Sequence, residues 1–360
     1  MFFLGLSSFS FAQEEVKAAL DTTEASFAFI KSGNMKCDSA LANLKRKNTK
    51  GASKFYSEAI KDYKKAQKVN PTSLEANYKL ALAQTQTKDY KNAIPNFDKA
   101  LEIEPERGDI FRERGVAQMG LGVDSLAIKD FNKAIDKNYD DYQAYYYRAT
   151  IKLKGRNPTP AVEDFTHAIE SKPDYKEAYF IRGKIYLEKV KDYVLALNDL
   201  NKYIELDPDN IEAYLLRGKT NYQGGAYKNA EKDLSRYIDM EPANVDALIT
   251  RGATRINLAN YSGAVRDYDD VIKIEPKNVI ALMNRGTAKG AMKNYTGALE
   301  DLDLAIKLKF DYSSAYINRA LVKYANHDKK GACKDLEKAD ALNNEKASDL
   351  LEQYCKDGKK

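Results

Sequence analysis

The chain has 360 residues, 43% hydrophobic and 31% charged, with 25 Tyr, 13 Phe, no Trp, three Cys and two His. Nine Pro and 19 Gly exclude a collagenous or linker-dominated chain, and three Cys exclude a disulfide-stapled miniprotein. The formal charge of +5 is the difference between 58 basic and 53 acidic side chains mixed along the whole length, so the overall charge points to no polyanionic partner.

Residues 1–12, MFFLGLSSFSFA, read as the apolar core and small-residue cleavage site of a secretory signal peptide, too short to span a bilayer. No Lys or Arg precedes the apolar run, which departs from the usual form of such a leader. No other stretch approaches a transmembrane helix, so the expectation is an exported protein without an integral membrane segment, periplasmic or associated with the cell envelope and soluble once the leader is removed. In the segment 13–39, residues 14–31 can form an amphipathic helix through Val16, Leu20, Phe27 and Ile30. Residues 40–73 carry in weak form a pattern that becomes explicit downstream, with Arg46, Tyr56, Ala59, Asp62, Tyr63, Ala66 and Pro71 in register. Their eighth position is Lys47, which predicts a first helix that packs less closely and serves as a cap. Lys45, Arg46, Lys47, Lys50 and Lys54 fall between Ala40 and Ser57 with no acid among them. Such a run attracts an acidic partner or an anionic surface, although a solvated face is the simpler reading.

From Leu74 to Lys346 the chain divides into eight units of period 34, starting at 74, 108, 142, 176, 211, 245, 279 and 313, with one residue inserted in the fourth, around Lys191. The eighth position is always small: Ala81, Gly115, Ala149, Gly183, Gly218, Gly252, Gly286 and Ala320. The twentieth is always Ala: 93, 127, 161, 196, 230, 264, 298 and 332. Apolar residues recur at helical spacing in two stretches per unit, as in Tyr179, Ile181, Ile185 and Leu187, then Leu195, Ala196, Leu200 and Ile204. Each unit is therefore predicted to be two helices. Pro71, Pro105, Pro173, Pro208, Pro242 and Pro276 stop the second helix, and Ser73, Asp141, Asn210, Asn244 and Asn278 can cap the next first helix.

Two further regularities concern packing. Small groups let two helices approach closely, and position 27 of the second helix is expected to face position 8 of the following unit. Tyr203, Tyr237 and Val271 at position 27 precede Gly218, Gly252 and Gly286, so a larger group would meet the smallest partner. Arg114, Arg148, Arg182, Arg217, Arg251, Arg285 and Arg319 occupy position 7, and Asp130, Asp164, Asp199, Asp233, Asp267, Asp301 and Asp335 occupy position 23. The unit with Leu80 in place of Arg also has Asn96 in place of Asp, which predicts an ion pair within each repeat, structural rather than ligand-binding.

With Phe111, Tyr145, Tyr179, Tyr214 and Tyr316 at position 4 and Tyr90, Tyr227, Tyr261 and Tyr295 at position 17, residues 74–346 closely resemble the tetratricopeptide repeat (TPR) family. The family's usual Trp is absent. The resemblance implies an all-α fold, a right-handed superhelical solenoid of helix-turn-helix units whose first helices line a concave face. It also implies a non-enzymatic scaffold or adaptor that binds protein or peptide segments there. The positions open to a ligand include Tyr78, Leu82, Tyr146, Tyr147, Phe180, Ile181, Leu187, Leu215, Leu216, Tyr222, Ile249, Ile256, Met283, Ile317, Leu321 and Tyr324. An alternative is that many of these groups pack against adjoining first helices.

Residues 347–360 supply a C-terminal capping helix, with Ala347, Leu350, Leu351 and Tyr354 as its buried stripe, and a basic tail. The ending with Cys333 and Cys355 resembles that of many exported bacterial TPR proteins, which implies a disulfide between them; two buried thiols are the alternative, and Cys37 would stay unpaired.

Signs of chemistry are few. His167 and His327 lie far apart with no Cys or carboxylate at ligand spacing, so neither a metal site nor a His-dependent triad is expected. No glycine-rich phosphate loop occurs, Gly120, Gly122, Gly224 and Gly225 falling where turns need them, and no cofactor is expected. Two rival functions are a glycan-binding exported protein, which the lack of Trp disfavours, and a helical-repeat RNA reader, which the 34-residue period and interleaved acids disfavour. No nucleic acid is therefore expected as partner. The oligomeric state is left open.

Overall fold

The computed structural model describes residues 5–355; residues 1–4 of the leader-like segment and 356–360 of the basic tail lie outside the described residues. The chain forms two compact units, Met1–Ala178 and Tyr179–Lys360. The first contains α1 (Gly5–Lys45), α2 (Thr49–Val69), α3 (Leu74–Gln86), α4 (Tyr90–Ile103), α5 (Gly108–Gly120), α6 (Asp124–Lys137), α7 (Tyr142–Lys152) and α8 (Thr159–Ser171). The division falls within α9 (Lys176–Ile185), which runs into a π-helical turn, Tyr186–Val190. The second unit continues with α10 (Tyr193–Leu206), α11 (Ile211–Gln223), α12 (Tyr227–Met240), α13 (Val245–Asn257), α14 (Tyr261–Ile274), α15 (Val279–Ala291), α16 (Tyr295–Leu308), α17 (Ser313–Ala325), α18 (Lys329–Asp340) and α19 (Glu345–Tyr354). No strand occurs among the described residues, and successive helices pack in pairs, as the all-α solenoid reading requires.

Local chemistry sets the helix ends. Ser73, Asp141, Asn210, Asn244 and Asn278 each accept a hydrogen bond from a backbone N–H in the first turn that follows, satisfying one of the donors that a helix start leaves unpaired. The turn between paired helices passes through a left-handed residue, at Lys88, Gly122, Lys191, Gly225, Ala259, Lys293 and His327. Glycine adopts that conformation without strain, and only two of the seven turns use it. The residue inserted in the fourth repeat is absorbed by the π-helical turn, which lets the chain reach its left-handed residue, Lys191, without shifting the next helix.

The close approach predicted at position 8 is present, but against a different partner. A Cβ on Gly252 would lie 2.7 Å from the Tyr268 ring, one on Gly115 2.7 Å from Phe131, and one on Gly218 2.9 Å from Leu234. The partner is position 24 of the same repeat, not position 27 of the repeat before. Tyr203 and Tyr237 instead share core clusters with Ala213 and Ala247, at the third position of the next first helix. Their hydroxyls accept hydrogen bonds from the capping residues Asn210 (2.6 Å) and Asn244 (3.0 Å). Tyr203 and Tyr237 are therefore fitted to an alanine and a cap, and the atoms nearest a Cβ on the position-8 glycines belong to the second helix of the same repeat.

The first helix pair departs furthest from the sequence reading. Lys47 is not the eighth residue of a first helix but the left-handed residue of a turn, with φ of 57°. The small residue of the pair is Gly33, whose Cβ would meet the Tyr63 ring at 2.5 Å. Lys47 follows Gly33 by 14 residues where Gly122 follows Gly115 by 7, and Tyr63 follows Lys47 by 16 where Phe131 follows Gly122 by 9. Between the seam and the turn each helix thus runs seven residues longer than in an ordinary repeat, and the boundary expected between residues 39 and 40 falls inside α1. Two turns of α-helix take about 7.2 residues, so an insertion of this length keeps the buried face nearly in phase.

The Arg–Asp pairs form in seven repeats, with Nε and Nη2 of Arg114, Arg148, Arg182, Arg217, Arg251, Arg285 and Arg319 donating to the two oxygens of the expected Asp at 2.6–3.2 Å. Every one of these Asp residues is buried, so the pairs are not the exposed kind that contribute little. The third guanidinium nitrogen reaches position 25 of the preceding second helix: Arg217 Nη1 to Asn201, Arg285 Nη1 to Asp269 and Arg319 Nη1 to Asp303. One arginine thus ties three helices. In the first pair Ser32 and Lys36 take its place on Asp62; burial opposes ionisation of that carboxyl, but their hydrogen bonds outweigh it and hold its pKa below the ordinary value. Cys333 and Cys355 are joined by a disulfide with Cα atoms 5.7 Å apart, which ties α18 to the end of α19, and Cys37 is free. Ala347, Leu350 and Leu351 pack on Tyr316, Ile317 and Leu336, so α19 covers the last apolar face.

Replacing Gly252 with Leu should overpack the seam against Tyr268 and lower stability by about 1–3 kcal/mol, read as a drop in thermal midpoint. Arg217→Met should cost about 3 kcal/mol, because Asp233 stays buried with only Asn221 for company. Arg217→Met combined with Asp233→Leu should regain most of that loss in denaturant titrations.

Candidate interaction surface

The residues at positions 2, 5, 6, 9, 12 and 13 of the first helices have environments that divide the predicted set. Leu187, Leu215, Leu216, Met283 and Ile317 are buried, and all five belong to core clusters. Leu215, at 5% exposure, is core rather than contact surface, as is Leu216 at 4%. Packing between neighbouring first helices claims these positions. Phe180 is half-buried against Tyr203, with ring centroids 4.9 Å apart, Ile181 is half-buried, and Ile249 and Ile256 lean on the same core cluster as Leu215. Leu321 and Tyr324 are exposed at 40% and 41%, and Tyr324 lies against Tyr354, ring centroids 4.6 Å apart.

In the first unit an aromatic and charged network occupies α3, α5 and α7. The Tyr78 hydroxyl donates to Asp109 at 3.2 Å, and Arg107 grips the same carboxylate through Nε and Nη2 at 2.7 Å. The Arg107 hydrogen bonds are the main cause that holds the Asp109 carboxyl below its ordinary pKa. Arg112 pairs with Glu113 at 3.0 Å and with the buried Asp141 at 2.8 Å. Burial pushes the Glu113 carboxyl up despite that arginine. Beside them Tyr146 packs edge-on against Tyr147, Phe165 and Tyr175, and Tyr147 stacks on Phe131. Leu82 borders a cavity of about 520 Å³ shared with Asn34, Asp38, Leu41, Lys79 and Gln86.

In the second unit the π-helical turn forms the edge of a cavity of about 450 Å³. Leu187, Tyr193 and Tyr222 supply apolar walls, and Glu188, Lys191, Lys219 and Asp246 supply charge, with Lys219 paired to Asp246. Leu321 lines a smaller depression with Thr287, Asn318 and Val322. The sequence reading missed Arg112, Glu113, Lys219 and Asp246. The available signal was that Arg112 stands at position 5, where the other units carry apolar or aromatic residues, and Glu113 and Lys219 at positions 6 and 9, where several do; Asp246 gives no such signal, since position 2 is acidic in most units. Among the described residues no three His, Cys, Asp or Glu side chains gather to hold a metal ion, and no helix is long and apolar enough to cross a membrane.

Comparison with known proteins follows the same lines. Tetratricopeptide repeat family models match residues 74–107 and 148–211, and the fold is a tetratricopeptide-type helical solenoid. Among solved structures, the C-terminal part of a TPR repeat-containing protein from Cytophaga hutchinsonii is 20% identical with a TM-score of 0.52, covering 68% of this chain and 97% of its own. Pseudomonas aeruginosa pilF is 18% identical with a TM-score of 0.52, covering 63% of this chain and 96% of its own. At these identities the likeness shows the fold alone. A comparison with curated proteins finds no match to the chain.

Proposed function

We propose that the protein is an exported, non-enzymatic scaffold that binds an extended peptide or helical segment of another protein along the first-helix face of its repeats. Tetratricopeptide solenoids are generally scaffolds rather than enzymes, consistent with this reading. The observation that carries it is the cavity at the π-helical turn, where half-buried Tyr222 and Tyr193 stand beside Lys219, Lys191, Asp246 and Glu188. Aromatic anchors ringed by charge suit a peptide side chain of amphipathic character, with the charges fixing its register. The leader-like residues 1–12 and the disulfide, which persists in oxidising compartments, support export.

The test is a photo-crosslinking side chain at Gln223, on the wall of that cavity, in living cells. A discrete protein captured in the cell-envelope fraction, and lost in Lys219→Glu with Tyr222→Ala at unchanged helical ellipticity, is the expected result. Capture that survives the double substitution, or that occurs only in the cytoplasmic fraction, contradicts the proposal. Leu215→Asp is unsuitable, since that side chain is part of the core.

A further inference from the structure

The lengthened first pair puts an unusual surface at one end of the first unit. Seven additional residues in each helix carry the turn about 10 Å beyond where an ordinary repeat would close. The inner side of this extension is fully used: Ala40, Ala52 and Tyr56 are buried together, with Phe55 and Cys37 packed against them. Its outer side is not. Lys45, Arg46, Lys47, Lys50 and Lys54 are all exposed, and between Asp38 and Glu58 there is no acid to offset them. The N-terminus of α2, a 21-residue helix, adds its partial positive charge at the same end.

Beside these cations, Leu41 and Leu44 on the last turns of α1 are 50% and 41% exposed. Leu41 edges the cavity described above, and neither leucine belongs to a core cluster. Exposed leucines occur elsewhere on the repeats, but here two of them stand beside five cations with no acid in the same stretch of chain, and a partner that takes both must combine negative charge with an apolar layer. The cations are exposed at a turn that projects beyond the closing point of an ordinary repeat, where an extended anionic surface can reach them together. Basic side chains flanking exposed aliphatic ones are the combination that binds an anionic lipid interface, the charges meeting the headgroups and the apolar groups reaching the acyl boundary.

We propose that the tip formed by the end of α1 and the start of α2 docks the protein on an anionic phospholipid bilayer. This is independent of the peptide-binding face, which lies on the repeats. The test is co-sedimentation of the full chain with phosphatidylcholine vesicles, with and without about one-third phosphatidylglycerol. Each cation near such a surface contributes about fivefold in affinity. Replacing Lys45, Arg46, Lys47, Lys50 and Lys54 together by Gln should therefore weaken binding to the anionic vesicles more than a hundredfold. Leu41→Ser with Leu44→Ser should weaken it several-fold, and both variants should keep the parent thermal midpoint because none of the seven side chains is buried. Neutral vesicles should bind poorly. Equal binding by parent and variants would place any membrane contact elsewhere, in the leader-like segment that all share, and would overturn the proposal. So would retention of a polyglutamate peptide, but not of vesicles, which would assign the tip to an acidic protein segment.

Discussion

The contact on which every repeat depends is a residue with no more than a methyl group on the first helix, seated against a ring or a leucine on the second. Gly252 on Tyr268, Gly115 on Phe131 and Gly33 on Tyr63 are the same contact in different repeats. Where the helices lie this close, the buried aspartate one residue before the large side chain is carried out of water, and the arginine one residue before the small one is within reach of both its oxygens. The ion pair is thus a consequence of the seam. It also directs the stacking, because the guanidinium's remaining nitrogen finds the preceding second helix. In the repeats that carry it, one arginine thus serves both helix pairing and stacking on the repeat before, in a fold where each repeat packs mainly on its neighbours.

This division of labour frees the rest of the first helix. Positions 7 and 8 face inward, while positions 5, 6, 9 and 12 vary from Arg112 and Glu113 through Tyr146 and Tyr147 to Lys219 and Tyr222 without disturbing the seam. A surface whose chemistry changes from repeat to repeat on a constant frame suits recognition of a segment with its own sequence of side chains. At the π-helical turn the frame itself yields, and it does so at the edge of the second unit's charged and aromatic cavity.

What could be read from the sequence followed from repetition. Alanine at position 20, the caps from Ser73 to Asn278 and the Arg–Asp pairs recur often enough that each unit corroborates the others, and the structure keeps all of them. Readings that rested on one unit, or on a partner chosen without geometry, fared worse. Lys47 was misplaced because seven added residues per helix leave the apolar phase almost unchanged, so the count ran through the extension without a visible break. Position 27 was matched to the wrong glycine because proximity in repeat order is not proximity in space; Tyr203 meets Ala213 and Asn210 instead. The candidate surface was only half legible, since Leu215 and Leu321 have the same character in sequence and are separated only by what packs over them.

The sharpest check is in the first pair, where the seam and the periodic count disagree about which residue matters. Native-state hydrogen exchange on Gly33→Leu and on Lys47→Gly decides between them. If the seam governs, Gly33→Leu accelerates exchange along both α1 and α2, from Phe29 to Cys37 and from Ala59 to Ala66, while Lys47→Gly, which eases a left-handed turn residue, leaves protection there intact. Protection unchanged in Gly33→Leu, or lost across both helices in Lys47→Gly, would contradict it.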